Sequence, residues 1–406
     1  MNILNKVFCR TFQFAFRLAM PFLPYREPER YASIEELAKP LQQKRIRSVL
    51  LVTDAFLKDS GATEKLENML YAVGIHCAVY AEVRPNPTVE NVEAALKLYH
   101  AEGCQCLIAF GGGSAMDCAK AVGARVAYPK KSLNQMKGIL RVWRKLPTLI
   151  AIPTTAGTGS EVTVTAVITD AATHHKYTMN NFTFIPRYAV HDPAVTYSLP
   201  SHLTATTGMD ALTHAVEAYI GRSTTKQTRA LAKETVRLVF ENIETAYKNG
   251  SDRTARANML RAAYAAGVAF SKSYVGYIHA VAQSLGGQYN IPHGLANSVL
   301  MPYVLESYGK SVHKKLYELA LVAGVATGED TPMTGAMKFI HAIRELNAAM
   351  GIPEKLSGIQ KADIPAMAKH AHHEANPLYP VPRLMDAKEL EQFYYTVADW
   401  SETNEY

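Results

Sequence analysis

The sequence predicts an α/β domain built on a parallel sheet, followed by an all-helical domain. Between residues 46 and 195, short apolar runs alternate with segments at helical spacing. That alternation is typical of a parallel sheet with helices on both faces. Between residues 196 and 406 only helical spacing remains. A length of 406 residues is natural for two such domains.

Four apolar runs predict the strands of the first domain. They are RSVLLVTD (47–54), HCAVYAEV (76–83), QCLIAF (105–110) and PTLIAIP (147–153). Between the second and third runs, TVENVEAALKLYHAEG reads as a helix. Two prolines in HDPAVTYSLPS mark the end of this domain. Beyond them, DALTHAVEAYIG, RALAKETVRLVFENIETAYKNG and ARANMLRAAYAAGVAFSKS predict consecutive helices.

Residues 1–45 are predicted to form an N-terminal amphipathic arm. Four basic side chains and no acidic one lie within its first 26 residues, namely Lys6, Arg10, Arg17 and Arg26. The apolar stretch FQFAFRLAMPFLPY is interrupted by an arginine and a proline, so no stable membrane span is expected. Three interpretations stay open: a helix packed on the protein's own body or a partner subunit, a membrane-surface helix, or an organelle transit peptide.

Composition and charge narrow the class of protein. The chain is 48% hydrophobic and 19% charged, as a globular protein is. Its five cysteines follow no metal or disulfide spacing, so we expect buried free thiols and a cytoplasmic location. A net charge of +7 fits a solvated surface, and no nucleic-acid partner is expected.

A glycine-rich segment predicts a phosphate-binding turn. GGGSAMDCAKAVG (111–123) follows the strand QCLIAF directly and opens a helix. Glycines let the backbone approach a phosphate, and the free N–H groups of the helix N-terminus favour an anion. The segment is neither G-x-G-x-x-G nor a Walker loop, so a simple chain reversal stays an alternative.

Two further elements favour a dinucleotide in the first domain. Asp54 ends the first strand, where open α/β sheets place their ligands, and its carboxylate suits ribose hydroxyls and NAD rather than NADP. The alternative for Asp54 is an ordinary helix cap. IPTTAGTGSEVT (152–163) follows another strand and suits diphosphate and ribose contacts, or plain turn chemistry.

Four side chains of the helical domain predict a metal site. Asp210 and His214 are spaced i, i+4 and face the same side of a helix. His279 lies in another helix, and His293 opens the next one after a proline. One carboxylate and three imidazoles suit Fe²⁺ or Zn²⁺ and do not suit Ca²⁺ or Mg²⁺. The same ligand set fits a closed structural site or a catalytic site that keeps one position open for substrate.

Taken together, the motifs resemble those of the iron-containing (group III) alcohol dehydrogenase family. They are GGGSAMDCAK, IPTTAGTGSEVT, GMDALTHAVEAY and HAVAQSLGGQYNIPHG, in the family's order, and the resemblance covers roughly residues 46–406. It implies a dehydroquinate synthase-like architecture, with a dinucleotide-binding domain (46–195), a helical metal-binding domain (196–406) and the site in the cleft between. It also implies NAD, Fe²⁺ or Zn²⁺, a small alcohol or aldehyde substrate, and a homodimer.

The resemblance implies a role for each matching residue. The metal ligands correspond to Asp210, His214, His279 and His293. The contacts to the pyrophosphate correspond to Gly112, Gly113 and Ser114, with Asp117 near the nicotinamide side. The contacts to adenosine correspond to Asp54 and Asn86. The cofactor loop corresponds to Thr154, Thr155, Thr158 and Thr163, with Lys176 near a ribose and Leu199 near the nicotinamide.

The chain departs from the family pattern at Gln283. Most family members have a histidine at this position, one helical turn after the equivalent of His279, and it is assigned to proton exchange with solvent. Glutamine does not titrate near neutral pH and cannot act as a general base. Three interpretations follow: proton transfer through water and ribose hydroxyls, substitution by His372 or His373, or loss of catalysis.

The resemblance implies a metal-dependent alcohol dehydrogenase or aldehyde reductase that transfers hydride between a small primary alcohol and NAD. Two alternatives stay open. One is a protein that binds NAD and metal with weak or no catalysis, because of Gln283. The other is a lyase of the wider superfamily, similar to 3-dehydroquinate synthase, although such relatives use a glutamate and two histidines as ligands.

Overall fold

The computed structural model describes residues 1–170 and 175–401. The chain forms two compact units. The sheet unit comprises Pro24–Leu199 and Gly250–Leu260, and the helical unit comprises Met1–Leu23, Pro200–Asn249 and Arg261–Tyr406. The predicted arm is thus divided, because residues 1–23 belong to the helical unit and residues 24–45 to the sheet unit. The predicted domain boundaries stay a prediction.

The sheet unit is built on a six-stranded parallel sheet, as the sequence predicts for its fold class. The strands are β1 Glu29–Tyr31, β2 Ser48–Val52, β3 His76–Tyr80, β4 Cys106–Gly111, β5 Gly138–Ile139, β6 Thr148–Pro153, β7 Thr165–Asp170, β8 His175–Asn180 and β9 Tyr188–Val190. The order in the main sheet is β1-β9-β6-β4-β2-β3, with every pair parallel. The four predicted strands are β2, β3, β4 and β6. A smaller sheet, with order β5-β8-β7, joins two strands antiparallel.

The α-helices complete both units. Those of the described residues are α1 Ile3–Ala19, α2 Ala38–Gln43, α3 Ala55–Asp59, α4 Glu64–Ala72, α5 Val89–Ala101, α6 Gly113–Ala127, α7 Ser201–Ile220, α8 Lys226–Lys248, α9 Arg253–Ser273, α10 Tyr277–Tyr289, α11 His293–Tyr308, α12 His313–Val322, α13 Pro332–Ala349, α14 Ile364–Ala375 and α15 Ala387–Val397. Beyond residue 200 the described chain is helical, which confirms the predicted second half of the fold class.

At the centre of the main sheet both faces are buried, which explains the continuous apolar runs of β2, β4 and β6. Alternate residues of β2 point to opposite faces, since the side-chain period of a strand is two. Leu50 and Val52 join a core with residues of α5 and α6. Val49 and Leu51 join a second core with residues of α4. The carboxyl ends of β2, β4 and β6 therefore meet at one edge, where the predicted nucleotide-binding segments begin.

The helical unit buries α7 almost completely. From Gly208 to Ile220 every residue of α7 is buried, and α8 and α11 pack against it. This burial includes four polar or charged side chains, namely Asp210, Thr213, His214 and Glu217. None of the helices in the described part of the chain combines the length and the apolar character of a membrane span. All five cysteines are free thiols, and four of them are buried as predicted, whereas Cys77 is partly exposed.

Candidate metal centre and nucleotide-binding elements

Three helices of the helical unit bring a carboxylate and two imidazoles together. Asp210 lies in α7, His279 in α10, and His293 is the first residue of α11. Their potential ligand atoms all lie within 4.8 Å of one another. Asp210 Oδ1 is 3.9 Å from His279 Nε2 and 3.8 Å from His293 Nε2. Asp210 and His279 are buried, whereas His293 is partly exposed.

His214 borders this cluster, one turn after Asp210. Its Nδ1 is 3.9 Å from Asp210 Oδ2, and its ring centroid is 4.3 Å from that of His279. The ring also stacks on Phe270 at 4.2 Å. The group whose ligand atoms lie within 4.8 Å contains the other three residues and not His214. The structure thus places all four predicted ligands side by side, with His214 slightly farther out.

Unpaired nitrogens in the cluster fit a bound metal ion. Within the described residues, His214 Nδ1 and His279 Nε2 are buried and have no hydrogen-bond partner. A buried polar atom without a partner is costly, and a cation bound by the nitrogen lone pairs would remove that cost. Burial, followed by the neighbouring His279, lowers the pKa of His214 well below its usual value. A neutral ring is the form that a metal ligand requires.

Glu217 is a functional candidate that the sequence reasoning missed. Its carboxylate accepts hydrogen bonds from Gly276 N at 2.7 Å and Ile278 N at 2.8 Å. Its Oε2 lies 2.6 Å from His279 Nδ1. Burial lowers the pKa of His279, but Glu217 opposes this and the net pKa is raised. A carboxylate on Nδ1 fixes the ring so that Nε2 faces Asp210, as in many metal sites.

A signal for Glu217 was present in the sequence. It stands three residues after His214 and seven after Asp210 in GMDALTHAVEAY, so the three side chains share one face of α7.

Asn297, one turn into α11, is a second missed residue. Its Nδ2 donates to Asp210 Oδ1 at 2.7 Å and lies 3.1 Å from His293 Nε2. Both residues orient predicted ligands.

Gln283 lies on α10, one turn after His279, and is partly exposed. The two side chains therefore occupy the same side of the helix. The candidate substitutes His372 and His373 lie near the end of α14. Burial lowers the pKa of His372.

The glycine-rich segment opens α6 directly after β4. Gly112 caps this helix and Gly113 is its first residue, with Ser114 following in the first turn. A Cβ added to Gly112 would lie 3.2 Å from Thr155 Cγ2, and one on Gly113 would lie 3.0 Å from Thr158 Cγ2. The threonine-rich loop thus packs closely on the N-terminus of α6, and a side chain at Gly112 or Gly113 would require it to shift. Free N–H groups in such a cradle fit a phosphate.

A buried lysine holds the predicted cofactor loop in place. Lys120 Nζ donates to Ser160 O, Thr163 Oγ1 and Thr165 O at 2.7 to 2.9 Å. Burial lowers the pKa of Lys120 to about 8, against the opposing effect of Asp117. Both oxygens of Asp117 are engaged by the protein itself, since they accept from Ser160 Oγ and Val167 N. Burial raises the pKa of Asp117.

Asp54 is a helix cap, one of the two interpretations of its position, and the ribose contact stays a prediction. It follows β2 and caps α3, where its Oδ1 accepts from Leu57 N at 2.9 Å. Its Oδ2 points to the start of the glycine turn, 3.9 Å from where a Cβ of Gly111 would stand. A carboxylate has lone pairs for more than one donor. A capping bond therefore leaves Asp54 able to accept from a ribose hydroxyl.

The remaining predicted residues are one pair, Lys176 and Asn86, and two single residues, Thr154 and Leu199. Lys176 Nζ donates to Asn86 Oδ1 at 3.0 Å, so these two candidates lie together. Thr154 is buried at the end of β6, with its N–H donating to Gly111 O at 3.0 Å. Leu199 N donates to Thr196 O at 3.1 Å, and Leu199 O accepts from the side-chain Nη2 of Arg256 at 3.4 Å.

Comparisons with known proteins match both units. A model described as iron-containing alcohol dehydrogenase matches residues 29–193, and one described as the C-terminal part of the Fe-containing alcohol dehydrogenase family matches residues 204–397. The chain is 37% identical to 1,3-propanediol dehydrogenase of Citrobacter freundii, over 93% of this chain and 98% of that protein. It is 34% identical to NAD-dependent methanol dehydrogenase of Bacillus methanolicus, over 87% and 93%. It resembles the crystal structure of a 1,3-propanediol oxidoreductase at 35% identity, with a TM-score of 0.88 over 92% and 98% of the two chains.

Proposed function

The chain belongs to the iron-containing alcohol dehydrogenase family of oxidoreductases, and from this premise we propose that it transfers hydride between a small primary alcohol and NAD. The observation that carries the proposal is the buried, unpaired Nε2 of His279 beside Asp210 and His293. Such a donor set suits Fe²⁺, with Zn²⁺ as the alternative ion.

We propose that Asp210, His214, His279 and His293 hold the metal ion. When bound, the ion supplies Lewis-acid chemistry that lowers the pKa of an alcohol, and NAD supplies the hydride acceptor. The contribution of the chain is orientation. Glu217 fixes the ring of His279, and Asn297 fixes the carboxylate of Asp210.

In the sheet unit, we propose that the glycine cradle binds the pyrophosphate of NAD. Gly112, Gly113 and Ser114 present backbone N–H groups at the start of α6, while Lys120 holds the threonine-rich loop against them. Asp54 accepts from a ribose hydroxyl, which disfavours the 2′-phosphate of NADP. Lys176 and Asn86 bind the cofactor as a pair. The structure supports a positioning role for Asp117, because both its oxygens are already occupied.

We propose that the proton released during turnover passes to solvent through a water molecule near Gln283. Glutamine can orient a water molecule by donating and accepting hydrogen bonds, although it cannot take up a proton near neutral pH. A partly exposed position on α10 gives solvent access to this side chain. The cytoplasmic location and the homodimer stay predictions, and the free cysteines suit a reducing compartment.

Turnover of alcohols by the Fe²⁺-loaded protein tests the proposal. Purified protein is mixed with NAD⁺ and a panel of short primary alcohols across about pH 6 to 10, and NADH absorbance is followed. We expect NADH to accumulate in proportion to alcohol consumed, with activity rising with pH. NAD and metal binding without turnover would favour the non-catalytic alternative. Product formation without net NADH would favour the lyase.

A further inference from the structure

The outer side of α1 carries an apolar face that the described residues leave uncovered. Six of its large apolar side chains are 58% to 79% exposed, namely Ile3, Leu4, Val7, Phe8, Phe14 and Leu18. At 100° per residue they fall on one half of the helix. The helix has 17 residues, so this face is about 25 Å long.

The opposite side of α1 is fastened to the helical unit. Cys9 and Gln13 are buried, and Gln13 Nε2 donates to Tyr379 O at 2.8 Å. Arg10 Nη1 donates to Val381 O at 2.8 Å. The helix therefore lies flat on the protein, with only its outer half available. Such an arrangement suits contact with a surface and leaves no way for the helix to insert end-on.

A line of positive charge runs along one flank of the apolar face. Lys6, Arg10 and Arg17 are spaced i, i+4 and i+11, and no acidic residue occurs in the first 26 positions. Within the described part of the chain, neither Lys6 nor Arg17 has an ion-pair partner. Lys6 and Arg10 also line a cavity of about 260 Å³. Arg383 lines it too, with its own charge offset by Glu389 at 2.5 Å.

From the apolar face and its basic flank together, we propose that α1 docks the protein on the surface of an anionic phospholipid bilayer. Large apolar side chains on one side of a helix, with lysine and arginine beside them, are the features that place a helix in a membrane interface. The exposed apolar side chains enter the acyl boundary. Lys6 and Arg17 meet lipid phosphates, and the cavity beside Lys6 and Arg10 receives a headgroup.

Vesicle flotation of the full-length protein tests this docking. We expect binding to vesicles of phosphatidylcholine with phosphatidylglycerol, weaker binding to phosphatidylcholine alone, and a further loss in high salt. Leu4→Ser/Phe8→Ser should weaken binding to the anionic vesicles roughly tenfold or more, because two exposed apolar side chains are lost. Lys6→Glu/Arg17→Glu should weaken it by a similar factor, roughly tenfold or more, by reversing charge at the surface.

Matched variants on other helices of the same unit serve as controls. Met333→Ser/Met337→Ser removes two apolar side chains that are 60% and 46% exposed on α13, and Lys226→Glu/Lys369→Glu reverses two exposed lysines. Both should bind vesicles as the unaltered protein does. Absence of binding to anionic vesicles would overturn the proposal, as would an equal loss in the control variants. Dissociation of a dimer by Leu4→Ser/Phe8→Ser, without vesicle binding, would assign the face to a second copy of the chain.

Discussion

At the scale of single residues, the orientation of one imidazole depends on a buried carboxylate. Glu217 accepts from three donors, namely the backbone N–H of Gly276, which caps α10, the N–H of Ile278 in the first turn of α10, and His279 Nδ1. The turn itself needs glycine, since a Cβ on Gly276 would lie 2.7 Å from Glu217 Oε1. Glu217 therefore fixes both the backbone where α10 begins and the direction of His279 Nε2, the proposed ligand atom.

Replacing Glu217 with glutamine should lower metal affinity. The amide nitrogen would face N–H groups that now donate to a carboxylate, so the His279 ring would lose its fixed direction. We expect Fe²⁺ or Zn²⁺ affinity to fall about 10- to 100-fold, measured by competition with a chelating dye. Glu306→Gln, at an exposed ion pair with Arg344, is the control. Unchanged metal affinity in the Glu217 variant would contradict its role in orienting His279.

Gln283→His should change the pH dependence of turnover. It would introduce a group with an ordinary pKa of about 6.5 one turn after His279. If proton release in the unaltered protein uses water, we expect the pH profile of kcat/KM to gain an inflection near that pKa in the variant. Between about pH 7 and 8, kcat/KM of the variant should be higher than that of the unaltered protein. A rate and a pH profile that are both unchanged would contradict a role for this position in proton transfer.

At the scale of elements, the junction of β4 and α6 carries the nucleotide proposal. Gly113→Ala would push a methyl group to within 3.0 Å of Thr158 Cγ2. We expect the cofactor loop to shift and NAD affinity to fall at least about tenfold, the loss of one hydrogen bond to a charged group. Fluorescence titration with NADH measures this. Gly123→Ala, inside the same helix, should leave affinity unchanged and stabilise the protein by up to about 1 kcal/mol. Equal NAD affinities in Gly113→Ala and Gly123→Ala would contradict phosphate binding at the start of α6.

Lys120 gives the same region a pH-dependent stability. Its pKa is lowered by burial from its ordinary 10.5 to about 8, so between these values the unfolded chain binds more protons than the folded one. The contribution of Lys120 to the free energy of unfolding therefore rises with pH across that window and falls as pH drops towards 8. Urea denaturation should show a steeper rise with pH in the unaltered protein than in Lys120→Met. Lys369→Met, at an exposed site, should keep the steeper rise, and equal slopes in all three proteins would contradict a displaced pKa.

Three of the four predicted strands are buried on both faces, and the fourth, β3, is a partly exposed strand at the edge of the sheet. β2, β4 and β6 read as continuous apolar runs because helices cover them on each side. β1 and β9 have three residues each, too few for any period to appear. β7 and β8 mix polar residues with apolar ones in a separate small sheet, so their runs do not resemble those of the main sheet.

The candidate site likewise contains residues that the sequence predicts and residues that it does not. The predicted ligands Asp210 and His214 were visible because their spacing is one helical turn within a single motif. The partners that orient the ligands were not, since Glu217 meets His279 and Asn297 meets Asp210 only after helices distant in sequence pack together. Lys120 was likewise hidden, because a lysine in a helix usually lies in solvent. Its burial depends on the loop that folds over it.

At the scale of the whole molecule, the proposed activity draws on both units. The proposed metal ligands all belong to the helical unit, and the proposed nucleotide contacts all belong to the sheet unit. Each set of residues has its own supporting bonds, so loss of one should leave binding to the other intact. An alcohol dehydrogenase nevertheless needs both sets for a single turnover, and this dependence is the central claim.

Transfer of deuterium from a labelled alcohol to NAD⁺ tests that claim most directly. The Fe²⁺-loaded protein is incubated with NAD⁺ and a primary alcohol whose two carbinol hydrogens are both replaced by deuterium, and the reduced cofactor is examined by mass spectrometry. We predict one deuterium in each molecule of reduced cofactor, with the reaction lost after chelation of the metal and in both His279→Ala and Gly113→Ala/Ser114→Ala. Reduced cofactor without the label, or labelled cofactor formed equally well by the His279 variant, would contradict it.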